Sequence, residues 1–323
     1  MKINLEYKPF RFSLKKKLIT SKGVIKEKRG WLIHLEDSIG NHGWGEVSPM
    51  DYRDEKIYLS HLQDISKTTS SKEILEHSII SNPKYLGFGI GAALGELEGK
   101  VGLSCSDGWL KAPPSAILLP QTKDILKSIE SLIHIYKRDG IPITIKWKVA
   151  IKENRKEENI MKEILQILPP NFRLRIDANG GWKINDAKRW FNLFERESKL
   201  EWIEEPLESI NSNELFQLSK QIPIALDESL IQYPDLKNTW EGWQVRHPLI
   251  EGDPRILLLE LKKNVSHRMI STAFETGIGR RWIDHMSAIQ QKGPTPTAPG
   301  LAPGWLPKDP LFSNNPFTVW DAV

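Results

Sequence analysis

The chain has 323 residues, 39% of them hydrophobic and 27% charged, which is the composition of an ordinary globular protein. Its formal net charge of +4 is too small, and too evenly spread, to indicate nucleic acid as the main partner. The single cysteine, Cys105, excludes an internal disulfide, and no stretch reaches the roughly 20 apolar residues that a membrane span needs. We therefore expect a cytoplasmic protein with neither a nucleic-acid partner nor a membrane span.

The first hundred residues predict an α+β domain. A hairpin-like pattern runs from Gly30 to Pro49, and helical patterns follow from about Glu55 to Ile80 and from Gly89 to Val101. Strands that precede helices, without alternating with them, are typical of the α+β class. We predict a capping domain of this class over residues 1–110.

From Ser115 onward, short apolar strand-like runs alternate with helix-like segments. The runs are SAILLP, ITIKWKV, RLRIDAN, EWIEEP, IPIALDE, GWQVRHP, RMISTAF and, less clearly, TPTAPGL. Their ends lie 19 to 31 residues apart, which suits a slightly trimmed (β/α)8 barrel of roughly 31 residues per unit. The predicted fold is α/β, a modified (β/α)8 (TIM-like) barrel over residues 111–303. Residues 304–323 are predicted to pack back on the capping domain.

The second run of the predicted barrel carries two lysines in the stretch TIKWKVA. Side chains alternate along a strand, so Lys146 and Lys148 point the same way. Two ammonium groups held close together and partly away from water favour the neutral amine, which is a usable base. This heptapeptide alone leaves an alternative open, an exposed edge strand with two solvated lysines.

Three acids end successive runs: Asp177, Glu204 and Asp227, which are 27 and 23 residues apart. Residues at the C-terminal ends of barrel strands meet at one mouth, so the three carboxylates are predicted to lie side by side. They cannot all stay ionised there without a cation, and all-oxygen ligation favours Mg²⁺ or Mn²⁺. The alternative is that they cap or pair with flanking helices. A base beside such a metal predicts proton removal from the carbon next to a substrate carboxylate.

The chain resembles the enolase superfamily in four motifs on successive runs: KWK, RIDANGGW, WIEEPL and ALDES. The resemblance spans nearly the whole chain, through GWGEVSP at 43–49, ISTAFETGIG at 270–279 and APGLAPG at 298–304, and is strongest to the o-succinylbenzoate synthase family. It implies a Mg²⁺-dependent syn dehydration of a small carboxylate, 2-succinyl-6-hydroxy-2,4-cyclohexadiene-1-carboxylate. That reaction belongs to menaquinone and phylloquinone biosynthesis.

The resemblance also implies roles for individual residues. The implied metal ligands are Asp177, Glu204 and Asp227. The implied acid/base is Lys148, with Lys146 as its cationic neighbour. The implied supports of metal and substrate are Arg175, Asn179 and Ser271. Glu205 and Glu228 directly follow ligands, and pleating turns them away if the strand continues, so they are expected to support the adjacent loops.

The sixth run departs from the family, which normally has a lysine just before a proline there. Here His247 precedes Pro248, and Arg246 comes before it. Arg246 stays protonated and can act only as a cation, whereas His247 can be neutral or charged. His247 faces the site if the strand phase follows the proline, and Arg246 does if the phase has slipped by one. Racemases need a base on each face of the substrate carbon, so this departure favours dehydration by Lys148.

Other functions remain as alternatives. Within the superfamily they are an N-succinylamino acid racemase or a dipeptide epimerase, and from another class a non-catalytic barrel that binds a ligand. An acid-sugar dehydratase would need a His/Asp dyad on later strands. Asp284 and His285 are instead expected on the surface of the helix after the seventh run, and His267 lies before that run. The oligomeric state is not predicted.

Overall fold

The computed structural model describes residues 2–20, 23–66, 70–81, 84–102, 105–120, 124–136, 142–151, 154–209 and 212–323. The chain divides into two compact units. The first unit comprises Met1–Pro113, Arg246–Ser266 and Ile270–Val323, and the second comprises Pro114–Val245 and His267–Met269. Across the described ranges, no helix is long and apolar enough to cross a membrane.

The first unit begins with an antiparallel sheet, followed by helices as the sequence predicts. Its strands are β1 (Lys2–Thr20), β2 (Gly23–Asp37), β3 (His42–Val47) and β4 (Ser70–Ser71), in the order β3-β2-β1-β4. The helices are α1 (Glu55–Ser66), α2 (Lys72–Ser81) and α3 (Tyr85–Leu97). Alternate residues of β2, such as Ile33 and Leu35, are fully buried in one core with Phe88 and Ile90 of α3.

Helix α3 approaches strand β3 so closely that only glycine fits at the contact. A Cβ atom on Gly45 would lie 1.9 Å from the backbone oxygen of Gly89, and one on Gly43 would lie 2.0 Å from that of Ala93. Both obstacles are backbone atoms, which cannot swing aside as a flexible side chain can. The glycines of GWG therefore set the distance between the sheet and the helix.

The second unit holds most of a parallel sheet. The strands are β5 (Ile117–Leu118), β6 (Ile143–Lys148), β7 (Phe172–Asp177), β8 (Leu200–Glu204), β9 (Ile224–Leu226), β10 (Trp243–Arg246) and β11 (Arg268–Ile270). Among the described residues they lie in chain order, each beside the next. All seven clearly predicted runs form strands, whereas the eighth, TPTAPGL, contributes an isolated bridge between Gly300 and Ser271.

Helices separate these strands, which confirms the predicted βα alternation. They are α4 (Ile125–Tyr136), α5 (Asn154–Ile167), α6 (Ile184–Phe194), α7 (Ser212–Leu218), α8 (Glu228–Gln232) and α9 (Leu236–Thr239). Strand β6 lies between β5 and β7, and its residues Ile145 and Trp147 are buried in the core beneath the helices. The alternative of an exposed edge strand with two solvated lysines is therefore wrong.

The later helices belong to the first unit. They are α10 (Pro248–Glu251), α11 (Pro254–Lys262), α12 (Gly277–Gln291) and α13 (Pro316–Asp321). Buried Glu46 of β3 joins the start of α12, because its Oε2 accepts hydrogen bonds from the backbone amides of Thr276 at 2.9 Å and Gly279 at 3.1 Å. One carboxylate thus caps the N-terminus of a helix that lies more than 200 residues further along the chain.

The C-terminal segment contributes aromatic side chains to the first unit. The amide of Lys15 donates to the carbonyl of Trp305 at 3.0 Å, and the ring of Phe312 meets that of Phe12 edge to face at 4.9 Å. Trp320 of α13 makes a similar contact with Trp44 at 5.6 Å. The boundaries predicted at residues 110 and 303 remain predictions.

Replacing Gly45 by alanine is expected to destabilise the first unit by about 3 kcal/mol or more, because the added methyl group would overlap backbone atoms of α3. The measurement is thermal unfolding of the variant beside the wild type. Gly40→Asn is the matched control: Gly40 has φ +82°, which asparagine tolerates, and no atom lies within 4 Å of the added Cβ. Equal melting temperatures for Gly45→Ala and the wild type would contradict the close approach.

Candidate active site

A lysine and two carboxylates form one row across three adjacent strands of the second unit. In the parallel ladder Lys148 of β6 pairs with Asp177 of β7, which pairs in turn with Glu204 of β8. Residues in register across a sheet project from the same face, so the three side chains converge. Asp227 follows β9 directly, and its charge helps to raise the pKa of Glu204 after the larger effects of burial and Asp177. The structure thus brings the predicted ligands together.

Lys146 lies one step deeper and is held by the carboxylates. Its Nζ is 2.8 Å from Oδ2 of Asp177 and 2.6 Å from Oε1 of Glu204. Burial lowers the pKa of Lys146, but the charges of these two acids outweigh burial and raise it. The argument that crowding favours the neutral amine therefore fails for Lys146, whose raised pKa agrees with its implied role as a cationic neighbour. Lys146 and Lys148 do lie on the same face of the strand, but acids on the neighbouring strands supply the counter-charges of Lys146.

Lys148 is the more accessible lysine. Its Nζ lies 3.2 Å from Oδ1 of Asn179 and 3.6 Å from Oδ2 of Asp177. Its side chain is 27% exposed, against 19% for Lys146 and 1% for Asp177. Because Lys148 ends the strand and reaches solvent, it is better placed than Lys146 to exchange a proton with a bound molecule.

The carboxylates suit a hard divalent cation. Burial raises the pKa of Glu204 to about 7, and Asp177 adds to this effect. Oε2 of Glu204 is buried and has no hydrogen-bond partner among the described residues. A buried carboxylate oxygen without a donor is costly, and a divalent ion with oxygen ligands would satisfy it. The donor set of Asp177, Glu204 and Asp227 therefore fits Mg²⁺.

The two following glutamates have different surroundings. Glu205 supports the turn after β9, because its Oε2 accepts from the amides of Asp227 at 2.8 Å and Ser229 at 3.3 Å, which confirms its expected role. Glu228 instead faces the site, since its Oε1 accepts from Nδ2 of Asn179 at 3.0 Å. Strand β9 ends at Leu226 and helix α8 begins at Glu228, so the pleat that would turn Glu228 away does not continue. Sequence reasoning missed this residue because the strand end was not predicted to the residue.

Arg175 does not present its charge to a ligand in this structure. It is wholly buried, its Nε donates to Glu201 at 2.6 Å, and its guanidinium lies 4.0 Å from the ring centre of Trp202. A substrate contact would require Arg175 to leave this position. In this structure Arg175 supports the strand layer, and its implied contact with substrate stays a prediction.

Arg246 and His247, at the end of β10, have different surroundings within the first unit. The side chain is 2% exposed and forms ion pairs with Glu251 at 2.6 Å and Glu260 at 2.8 Å. Its charge is thus matched by two acids in this structure, and a role for Arg246 as a cation toward substrate stays a prediction. His247 follows the end of β10 as the N-cap of α10, and its Nδ1 lies 3.2 Å from the carbonyl oxygen of Thr272.

The remaining candidates of the first unit are placed by backbone contacts. Ser271 extends β11: its amide donates to the carbonyl of Arg246 at 2.9 Å, and its hydroxyl donates to that of Gly300 at 3.2 Å. His285 lies in α12 as expected, but it is buried against Trp109, so its predicted surface position is wrong. Burial lowers the pKa of His285 to about 4, and its Nδ1 accepts from the amide of Leu110. It is a neutral core histidine.

Glu228 gives a prediction about stability and pH. Burial, followed by the charges of Asp227 and Asp177, raises its pKa from 4.5 to about 8. Between pH 4.5 and about 8 the folded protein therefore keeps a proton on Glu228 that the unfolded chain releases. The free energy of unfolding accordingly falls as the pH rises through this interval. In chelator-treated protein at pH 8 to 9, Glu228→Gln should be more stable than the wild type by at least about 1 kcal/mol, or about 2–4 °C in Tm.

The gain should disappear near pH 5, where the glutamate is protonated in the folded state. Thermal unfolding across this range is the measurement, and Glu130→Gln, on the exposed face of α4, is the control that removes a carboxylate without burial. Parallel stability curves for the wild type and Glu228→Gln at all pH values would contradict the raised pKa.

Comparison with known proteins agrees with this geometry. Residues 133–243 match the family model described as enolase C-terminal domain-like. The o-succinylbenzoate synthase of Thermosynechococcus vestitus is 28% identical over 298 residues, covering 87% of each chain. That of Aliivibrio fischeri is 26% identical over 286 residues, covering 86% of this chain and 83% of the relative.

Solved structures show the same fold over almost the whole chain. A crystal structure of o-succinylbenzoate synthase from Thermosynechococcus elongatus, with Mg in its active site, superposes with a TM-score of 0.81 at 25% identity and covers 99% of this chain and 100% of that one. The L-Ala-D/L-Glu epimerase of Bacillus subtilis superposes with a TM-score of 0.67 at 18% identity, and the match covers 95% of this chain and 91% of that one. The predicted fold class, a modified (β/α)8 barrel with an N-terminal α+β domain, is confirmed. Residues 133–243 thus match the enolase C-terminal domain-like family, and the chain as a whole is similar to o-succinylbenzoate synthases.

Proposed function

We propose that this protein is a Mg²⁺-dependent lyase with o-succinylbenzoate synthase activity, acting in menaquinone or phylloquinone biosynthesis. The observation that carries the proposal is the row of Lys148, Asp177 and Glu204, in register on three adjacent strands. It combines a partly exposed base with carboxylates that suit a divalent ion. The o-succinylbenzoate synthases similar to this chain support the choice of substrate.

Asp177, Glu204 and Asp227 would hold the ion. A bound Mg²⁺ would stabilise the negative charge that develops on the substrate carboxylate, and it would favour the neutral amine of Lys148. Lys146, whose pKa the acids raise after burial lowers it, keeps its ammonium charge and supplies a fixed positive group beside the same carboxylates. The two lysines therefore have different tasks, one moving a proton and the other holding charge.

The proposed reaction needs one base on one face of the ring. Neutral Lys148 accepts the proton from the ring carbon that bears the carboxylate, and the electron pair of that C–H bond moves toward the carboxylate. The resulting ammonium of Lys148 then donates its proton to the hydroxyl on the neighbouring carbon as the C–O bond breaks. Water leaves, the ring becomes aromatic, and Lys148 returns to its neutral form.

Racemisation is the second candidate, because dipeptide epimerases share the fold. Such chemistry needs a base on the opposite face of the substrate carbon. The sixth strand has no lysine before Pro248, and Arg246 is held by Glu251 and Glu260. His247 remains the one titratable group at that point of the strand, so we favour dehydration. A non-catalytic binding protein would have no need of two lysines beside buried acids.

The direct test is incubation of the purified protein with 2-succinyl-6-hydroxy-2,4-cyclohexadiene-1-carboxylate and Mg²⁺, with absorbance of the aromatic product as the measurement. Asp177→Asn should reduce turnover by more than about 100-fold and weaken Mg²⁺ binding, because loss of a ligand should exceed the effect of losing an outer-shell partner. Its far-UV circular dichroism should match the wild type. Undiminished turnover of Asp177→Asn after chelator treatment would refute the metal assignment.

The two lysines can be separated by isotope exchange. Lys148→Ala should lower both dehydration and exchange of the α-proton with solvent deuterium by about 10²- to 10⁴-fold, the usual contribution of a general acid/base. Lys146→Ala should impair both without removing the chemistry, and Lys127→Ala, on exposed α4, is the control. Dehydration that persists in Lys148→Ala would refute the base.

The same preparation should have little activity as a racemase of N-succinylamino acids. Efficient racemisation by the wild type would overturn the one-base mechanism while leaving Lys148 as a base. His247→Lys is the variant that would add a second lysine if this side chain faces the substrate.

A further inference from the structure

A second group of possible metal ligands lies on the antiparallel sheet of the first unit, among residues to which the proposed reaction assigns no role. Glu6 of β1 pairs with His34 of β2, and Glu36 of β2 pairs with His42 of β3. His34 and Glu36 are two residues apart on one strand, so they project from the same face. The ladder therefore places two imidazoles and two carboxylates on one side of three neighbouring strands.

The ligand atoms converge closely enough for a small metal ion. Nε2 of His34 and Nδ1 of His42 are 2.9 Å apart, and one ligand atom each from His34, Glu36 and His42 lie within 4.8 Å of one another. Tetrahedral Zn²⁺ with bonds of 2.0–2.1 Å needs ligand atoms about 3.3 Å apart. Small side-chain rotations would bring this group to that spacing.

Glu6 adds a feature that a chance pair of histidines would lack. Its Oε2 lies 3.6 Å from Nδ1 of His34, the ring nitrogen opposite the one that faces His42. Histidines that bind metals commonly direct their second ring nitrogen at a carboxylate, which fixes the tautomer and turns the other nitrogen toward the metal. Glu6 is placed to act on His34 in this way.

Aromatic side chains hold the two imidazoles in place. The ring of His34 is buried and stacks on Trp44 with 4.2 Å between centroids, and Trp320 of α13 lies 5.6 Å away. Phe317 of the same helix meets His42 edge to face at 5.4 Å. Glu36 and His42 are exposed, so an ion can reach the group from solvent. A hydrophobic surround on one side and an open position on the other are usual for a protein metal site.

We propose that His34, Glu36 and His42 bind a transition-metal ion of the Zn²⁺ class, with water as the fourth ligand and Glu6 orienting His34. Two imidazoles beside one carboxylate favour Zn²⁺ over Mg²⁺, which prefers oxygen ligands alone. The site is separate from the carboxylate row and independent of the proposed function. A bound ion would cross-link β2 to β3 and stabilise the sheet face on which α13 packs.

The test uses chelator-treated full-length protein, titrated with Co²⁺ in the presence of excess Mg²⁺ so that the carboxylate row is occupied. We expect one equivalent of Co²⁺ with the intense visible absorption of tetrahedral coordination, displaced by Zn²⁺. Co²⁺ on the all-oxygen row would give only the weak spectrum of octahedral coordination, so the two sites can be told apart. Metal analysis after gel filtration gives the Zn²⁺ stoichiometry.

Variants locate the ion. His42→Ala should weaken Zn²⁺ binding by more than about 100-fold, and Glu6→Gln by about 10- to 100-fold as an outer-shell change. His77→Ala removes an exposed histidine of α2 and should bind as the wild type does. Zn²⁺ should also raise the Tm of the wild type and His77→Ala but not that of His42→Ala. Absence of the tetrahedral spectrum, or its survival in His42→Ala, would leave only a hydrogen-bonded histidine pair and overturn the proposal.

Discussion

The charge balance of the second unit depends on two carboxylates that are buried side by side. Asp177 and Glu204 are almost without solvent contact, and their mutual repulsion has to be offset by positive charge. Lys146 provides part of it from below, at 2.8 and 2.6 Å. The buried Oε2 of Glu204 has no hydrogen-bond partner among the described residues, and a cation on the open side would satisfy it. The chemistry we propose uses the same imbalance, because a site built to attract a divalent ion also stabilises an anionic substrate.

The sequence predicts the convergence of these charged residues because its signal has a simple physical origin. A strand that ends at an acid, repeated once per βα unit, places Asp177 and Glu204 in register whatever the intervening helices contain. The alternation of side chains likewise places Lys146 and Lys148 on the inner face without knowledge of their partners. Periodicity therefore conveyed both the barrel and its row of charges.

What the sequence did not predict depends on where strands stop and on contacts between distant residues. The role of Glu228 follows from the end of β9 at Leu226, whereas the pleat argument assumed that the strand continues through Glu228. The positions of Arg175 and Arg246 depend on glutamates that lie 26, 5 and 14 residues away and have no distinctive pattern. His285 reads as a surface residue because the residues that bury it, such as Trp109, come from another part of the chain.

The cap that Glu46 provides for α12 also constrains the order in which the protein can fold during synthesis. Its amide partners at Thr276 and Gly279 leave the ribosome more than 200 residues after it does. The second unit, almost entirely a continuous stretch of chain, can form before then, whereas the first unit needs both ends of the polypeptide. Until α12 emerges, the N-terminal sheet exposes apolar surface and the carboxylate of Glu46, both of which are buried in the folded protein. This segment is therefore the part of the nascent chain that most needs protection from aggregation.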